Sequence, residues 1–181
     1  MAIKNKVEYE IELPSDVEAN LDGHILVIKG INGELQKKFA YPKIKINVKD
    51  NKILIQAIKP TKREKTYAGT FRAHIKNMIL GVSKDFEYKL KICSGHFPMS
   101  VTVDHEKVII KNFLGEKIPR IAKILPGVKC SVMGDEIIIR GTNKENAGQS
   151  AANIEMATRI VNRDRRVFQD GIFIISKGGE K

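Results

Sequence analysis

Tryptophan is absent from this chain of 181 residues, phenylalanine and tyrosine number only seven and four, and cysteine occurs twice, at Cys93 and Cys130. So little aromatic surface argues against the Phe/Tyr-rich strand on which readers of single-stranded RNA stack bases. Two cysteines cannot form the disulfide framework of a small secreted domain, so two reduced, buried thiols are expected, and with them a cytoplasmic protein. A metal site is not expected either. Cys93, His96, His105 and Cys130 offer four donors, but only Cys93-x-x-His96 is a close pair, and a structural zinc site needs two such pairs. Apolar runs are short, the longest being Ile25 to Ile28 and Ile172 to Ile175, far below the roughly 20 residues of a membrane-spanning helix. The segment Met1 to Glu8 alternates charges and lacks the apolar stretch of a secretory signal, so the chain is expected to stay in the cytosol.

Catalytic signatures are missing as well. There is no Gly-x-Ser-x-Gly elbow, phosphate-binding loop, Gly-x-Gly-x-x-Gly or His-Glu-x-x-His, so no catalytic residue, cofactor or small-molecule substrate is expected. The carboxylates are dispersed, and the adjacent Asp135 and Glu136 read as turn formers.

Positive charge is abundant. Lys and Arg number 32 against 21 Asp and Glu, a net +11, in a chain whose 42% hydrophobic content is that of a folded protein. That balance favours a polyanionic partner, because each Lys or Arg seated on a phosphate releases condensed counterions. One cluster runs from Lys37 to Lys65 and is mostly lysine. The other holds Arg159, Arg163, Arg165 and Arg166, opposed only by Asp164, and precedes Phe168-Gln169, which reads as an exposed pair at the start of a strand near Val167. Arginine favours bidentate phosphate contacts, although one or two of these arginines could merely complement a helix dipole. Shape and phosphate recognition of folded RNA fits best. An RNA-acting enzyme and a basic scaffold for an acidic protein are the alternatives.

The chain also reads as one module written twice. His24 to Glu34 aligns with Glu106 to Glu116, matching Lys29 with Lys111, Gly33 with Gly115 and Glu34 with Glu116; Asn51 to Ile55 parallels Asp135 to Ile139. Each copy then has a Thr-x-x-Glu, Thr61 with Glu64 and Thr142 with Glu145, predicting a capping box ahead of a helix. Alternating segments predict antiparallel strands, with tight turns at Asp22-Gly23, Asp50-Asn51, Asp104-His105 and Gly134-Asp135. The helical stripes are Ala68, Phe71, Ile75, Met78 and Ile79 in one copy, and Ala147, Ala151, Ile154, Thr158 and Val161 in the other. The expected fold is α+β: two tandem homologous modules, residues 1–82 and 83–181, each an antiparallel sheet with one helix packed on a face, meeting at Gly81-Val82-Ser83.

Several stretches resemble a known family. Ile160-x-x-Arg163-x-x-Arg166-x-Phe168-x-Asp170-Gly171-Ile172-Phe173-Ile174-x-x-Lys177 and Gly148-Gln149-Ser150-Ala151-Ala152-Asn153-Ile154, with His96-Phe97-Pro98 and Leu125-Pro126-Gly127-Val128, are similar to the large-subunit ribosomal protein six family in its archaeal and eukaryotic branch. Met156 stands where that branch usually has Gln, and Phe173 where Tyr is usual. The resemblance implies two tandem modules and a structural component of the large ribosomal subunit in the cytoplasm. It also implies binding to large-subunit ribosomal RNA mainly through the C-terminal module, near the sarcin-ricin loop where translation factors dock, beside neighbouring ribosomal proteins. The residues expected to contact RNA are Arg163, Arg165, Arg166, Phe168, Gln169, Lys177, the loop carrying Lys111, Asn112 and Lys117, and His96.

Overall fold

A computed structural model describes residues 6–49 and 51–178. The chain divides into two compact units, residues 1–85 and 86–181. The division falls beyond the expected junction because Gly81, Val82 and Ser83 still belong to the helix α1 (Lys62–Ser83). Val82 is fully buried against Gly30, where a Cβ would lie 2.8 Å from the Val82 carbonyl oxygen.

The N-terminal unit holds β1 (Lys6–Glu12), β2 (Glu18–Asp22), β3 (Ile25–Gly30), β4 (Gly33–Lys38), β5 (Ile44–Lys49), β6 (Lys52–Ile58) and α1. Its strands form two antiparallel sheets, β1-β6-β5 and β2-β3-β4, instead of the single expected sheet. The C-terminal unit repeats the plan with β7 (Phe86–Cys93), β8 (Ser100–Asp104), β9 (Lys107–Lys111), β10 (Arg120–Lys123), β11 (Val128–Met133), β12 (Glu136–Gly141) and α2 (Lys144–Ala157), then adds β13 (Gly171–Ser176). Its sheets are β11-β12-β7-β13 and β8-β9-β10. Each passage between sheets carries a proline: Pro14, Pro42, Pro98 and Pro126. Proline cannot donate to a ladder, so strand pairing stops there and the chain turns a corner.

The hairpins arise where a left-handed residue is available. Gly23, His105 and Gly134 have φ of 59°, 44° and 59°. Two of these loops, Gly23-His24 and His105-Glu106, sit one residue later than expected. Asn51 has φ 63°; its partner in the expected turn, Asp50, lies outside the described residues.

Alternation then sorts each strand. Ile53, Ile55 and Ala57 of β6 join Leu26, Ile28, Ala68, Ile75 and Ile79 in one core. Leu90, Val108, Ile110, Ile137 and Ile139 join Ala147, Ala151 and Ile154 in the other. The small face of α2 lets it lie close on the sheet, with Gly148 against the Tyr88 ring. Val161, expected on that stripe, is exposed because the helix ends at Ala157. The cysteines, expected buried, are half-buried and free; burial pushes the Cys130 thiol up to about 11.

The two helix starts differ. At α1 the Thr61 side chain accepts from the Glu64 amide while Glu64 Oε2 accepts from the Thr61 amide at 2.8 Å, the predicted box, and the Thr61 hydroxyl donates to that same oxygen. At α2 the cap is Asn143, one residue past Thr142, with its Oδ1 accepting from the amides of Glu145 (2.9 Å) and Asn146 (3.4 Å). Asparagine caps as well as threonine, so the shift loses nothing.

Glu64 is buried, and the Thr61 hydroxyl above all, with the Thr61 amide and nearby Lys43, holds its carboxyl down to about 2 against the cost of burial. A depressed carboxyl stabilises the fold fully above its unfolded value of roughly 4.3 and loses that contribution as pH falls through its folded value. Glu64→Gln should therefore lower the urea midpoint at pH 7, with the gap to wild type closing between about pH 4.5 and 2 as the linkage requires; a gap independent of pH would contradict the assignment. Gly30→Ala should cost about 1–3 kcal/mol by overpacking against Val82, measured by chemical denaturation.

Candidate nucleic-acid interface

Three loops meet at one end of the C-terminal unit: residues 94–99 after β7, residues 112–119 after β9, and the irregular segment 159–170 between α2 and β13. Asp170 ties the first to the third. Its buried carboxylate accepts from the Gly95 amide, from the His96 amide at 3.0 Å and from His96 Nδ1 at 2.5 Å. Burial alone would raise this carboxyl, but the hydrogen bonds from the His96 amide, the His96 ring and the Gly95 amide outweigh it and hold the group below the usual aspartate range. Because Nδ1 faces the carboxylate, the opposite ring nitrogen, Nε2, is turned away from it.

The second loop is tied to both others. Asn112 Nδ2 donates to the Pro98 carbonyl at 3.0 Å, and the Phe97 ring lies over Gly115. Arg120 forks onto Glu116 at 2.8 and 2.6 Å, and its Nη1 donates to the carbonyls of Ala157 (2.9 Å) and Arg159 (3.1 Å) while the guanidinium stacks on Phe113. A cation on the last carbonyls of α2 also suits the helix dipole.

The basic segment is a set of turns closed by Asp164. The amides of Val167 and Phe168 donate to its carbonyl, and the Arg166 amide to its carboxylate. The expected strand from Val167 therefore begins only at Gly171. At that point the amides of Ile172 and Ile174 reach Thr158 Oγ1 (2.9 Å) and Glu155 Oε1 (3.1 Å) at the end of α2.

Phe168, expected exposed, is half-buried in a stack. The His96 ring lies 4.8 Å from it at 30°, and the Arg163 guanidinium 4.9 Å from its centroid. Beside the stack an open groove of about 1030 Å³ is lined by His96, Arg159, Arg165 and Gln169 on its polar side and by Met156, Val167, Phe168 and Phe173 among its apolar residues. Met156 is 58% and Phe173 38% exposed, so the groove offers apolar walls as well as charge.

The ten expected contact residues thus separate. His96, Arg163, Arg165, Phe168 and Gln169 come together around the groove, and Lys111, Asn112 and Lys117 sit on or beside the loop tied to it. Arg166 is exposed, but its guanidinium is engaged by Asp164 at 2.8–3.2 Å, which holds that carboxyl low and offsets the charge. Lys177 follows the far end of β13, where Ser176 pairs with Lys89, whereas the groove lies at the Gly171–Cys93 end. Asp170 and Arg120, absent from the expected set, hold the site together. For Arg120 a local signal existed, the Glu116–Arg120 spacing of an i,i+4 pair.

Among the described residues, no group of three or more His, Cys, Asp or Glu could hold a metal, and no helix is long and apolar enough to cross a membrane.

Comparison with known proteins agrees with the repeat. The family model described as ribosomal protein L6 matches the chain twice, over residues 13–85 and 97–171. The chain is 47% identical over 180 residues to the large ribosomal subunit protein uL6 of Methanococcus vannielii, covering 99% of each. It is 47% identical over 177 residues to the protein of the same name from Methanobrevibacter smithii, covering 98% of this chain and 99% of the relative. One family model laid over both units, and relatives aligned almost from end to end, mean that the chain belongs to the ribosomal protein L6 family, whose members are structural, non-enzymatic components of the ribosome.

Proposed function

We propose that this protein is built into the large ribosomal subunit in the cytoplasm and holds folded large-subunit ribosomal RNA with the loop end of its C-terminal unit, beside neighbouring ribosomal proteins and near the site where translation factors dock. The observation that carries this reading is the convergence of three cross-tied loops on one groove, with Arg165 on its wall, Arg163 stacked on Phe168 beside it and Lys117 on one of the tied loops. Among the described residues, Arg165 and Lys117 form no ion pair, so their charge is available to phosphates. Phosphate contacts set position, while the Phe168–His96 stack and the apolar walls at Met156 and Phe173 accept ribose and base faces that charge alone would not favour.

The contacts are of unequal weight. Arg163 and Arg165 are the main phosphate ligands, and Arg166 contributes less because Asp164 competes for it. Lys177 lies at the opposite end of β13 and is not part of this contact.

Replacing Arg163, Arg165 and Arg166 together with Ala should flatten the salt dependence of ribosomal RNA binding by about 1.5–2 units, at a little under one unit per lost phosphate contact. An unchanged slope in filter binding across a salt series would refute the assignment. Asp170→Asn keeps the shape but removes the charge on which His96 and Gly95 converge; it should cost about 2 kcal/mol of stability, the scale of hydrogen bonds to a charged group. It should also weaken RNA binding with no change in salt slope, since Asp170 meets no phosphate. Gradient sedimentation of extract, with and without ribonuclease, tests the assembly itself: the protein should leave the large-subunit fraction only after digestion.

A further inference from the structure

Among the described residues, the N-terminal unit leaves open a place that the C-terminal unit fills with its own chain. In the C-terminal unit β13 pairs antiparallel with β7, packs against α2 and buries Ile172 completely. The counterpart of β7 is β1, the same position in the repeated sheet. β1 pairs with β6 on one side and, among the described residues, has no strand on the other. Beside that edge lies a groove of about 560 Å³ between β1 and the C-terminal half of α1. Its lining is Ile11, Pro14, Ile79 and Leu80 together with the carboxylates Glu10 and Glu12 and one cation, Lys76, and Leu80 is 57% exposed although it belongs to a helix packed on the sheet.

We propose that the β1 edge takes up an extended strand of a neighbouring polypeptide in which apolar and basic residues alternate. An unpaired edge presents a row of backbone donors and acceptors that a strand can complete. One face of such a strand would place apolar side chains against Ile79 and Leu80, as Ile172 does against α2. Its other face meets the outward residues of β1, which are Lys6, Glu8, Glu10 and Glu12, all exposed. Three carboxylates on one strand stand out in a chain of net charge +11. Glu8 is met by Lys6 (3.1 Å) and Gln56 (2.6 Å), but Lys52 alone serves both Glu10 (2.9 Å) and Glu12 (3.3 Å), so the unbalanced charge lies at that end of the strand. Opposite charges across neighbouring strands attract and like charges repel, so this edge favours lysine or arginine on the incoming strand. The same rule opposes pairing of two β1 strands from two copies, and the carboxylates oppose an RNA backbone.

The test uses the full chain and a labelled, end-capped peptide of alternating Lys and Ile, eight residues long, followed by fluorescence anisotropy and amide exchange. Expected are saturable binding and slowed exchange at Glu8 to Glu12. Methylating one alternate set of peptide amides should weaken binding at least tenfold while methylating the other set leaves it intact, because only one set faces β1. Replacing Lys by Glu in the peptide should abolish binding, and Leu80→Glu in the protein should weaken it about tenfold. Equal binding of the two methylated peptides would reduce the effect to charge alone and overturn the proposal. So would no peptide binding, protection confined to the C-terminal unit, or peptide-free self-association that protects β1. The peptide variants leave the protein unaltered, so a misfolded Leu80→Glu chain would not obscure the result.

Discussion

One buried carboxylate organises the loop end of the C-terminal unit. Asp170 receives two consecutive backbone amides and one ring nitrogen from a loop some 75 positions earlier in the chain, and a buried charge of this kind is tolerable only when its lone pairs are satisfied. Once it is held, much else follows. The His96 ring is fixed against Phe168, the turns from Arg163 to Gln169 are closed at their C-terminal end, and the chain is delivered to Gly171 with φ 155°. A side chain at Gly171 would bring a Cβ to 3.0 Å from the Phe173 ring, so the sharp passage from irregular segment to strand depends on a glycine following the clamp.

Net charge is a poor guide to which cations meet a partner. Of the basic residues near the groove, Arg120 is consumed by Glu116 and by helix-end carbonyls, and Arg166 by Asp164. Arg163 lies across an aromatic ring, a position that orients the guanidinium plane while leaving its edge donors available. The residual charge is therefore smaller than a count of arginines indicates, and better placed.

Much of the fold was legible because it is local. Alternation located most strands, positive-φ residues marked the hairpins, and the α1 stripe and its Thr61–Glu64 box were as read. What was hidden depends on contacts between distant residues or on competition between neighbours. Two sheets per unit follow from prolines at the corners, a signal present in the sequence but meaningful only once the strands on either side are known to part. Asn143 displaced Thr142 as a cap because the helix starts one residue later. The aspartate that builds the site stood within the C-terminal signature without a role, since nothing near it in sequence announces that Gly95 and His96 will arrive there. Arg166 read as a phosphate ligand because its spacing from Asp164 does not reveal that the two fold back on each other.

The two units show how one module came to carry different surfaces. α1 runs for 22 residues and α2 for 14, a difference of about two turns. In the C-terminal unit the chain beyond the shorter helix forms the basic turns, then the Asp170 clamp, then β13. The end of the shorter helix anchors this segment: Thr158 and Glu155 accept strand amides, and the carbonyls of Ala157 and Arg159 receive Arg120. In the N-terminal unit the longer helix instead carries Ile79 and Leu80 along an edge strand that, among the described residues, no other strand of the unit pairs with on its outer side. The shorter helix thus goes with a charged loop end and a closed sheet edge, and the longer one with an acidic strand and an apolar groove side by side.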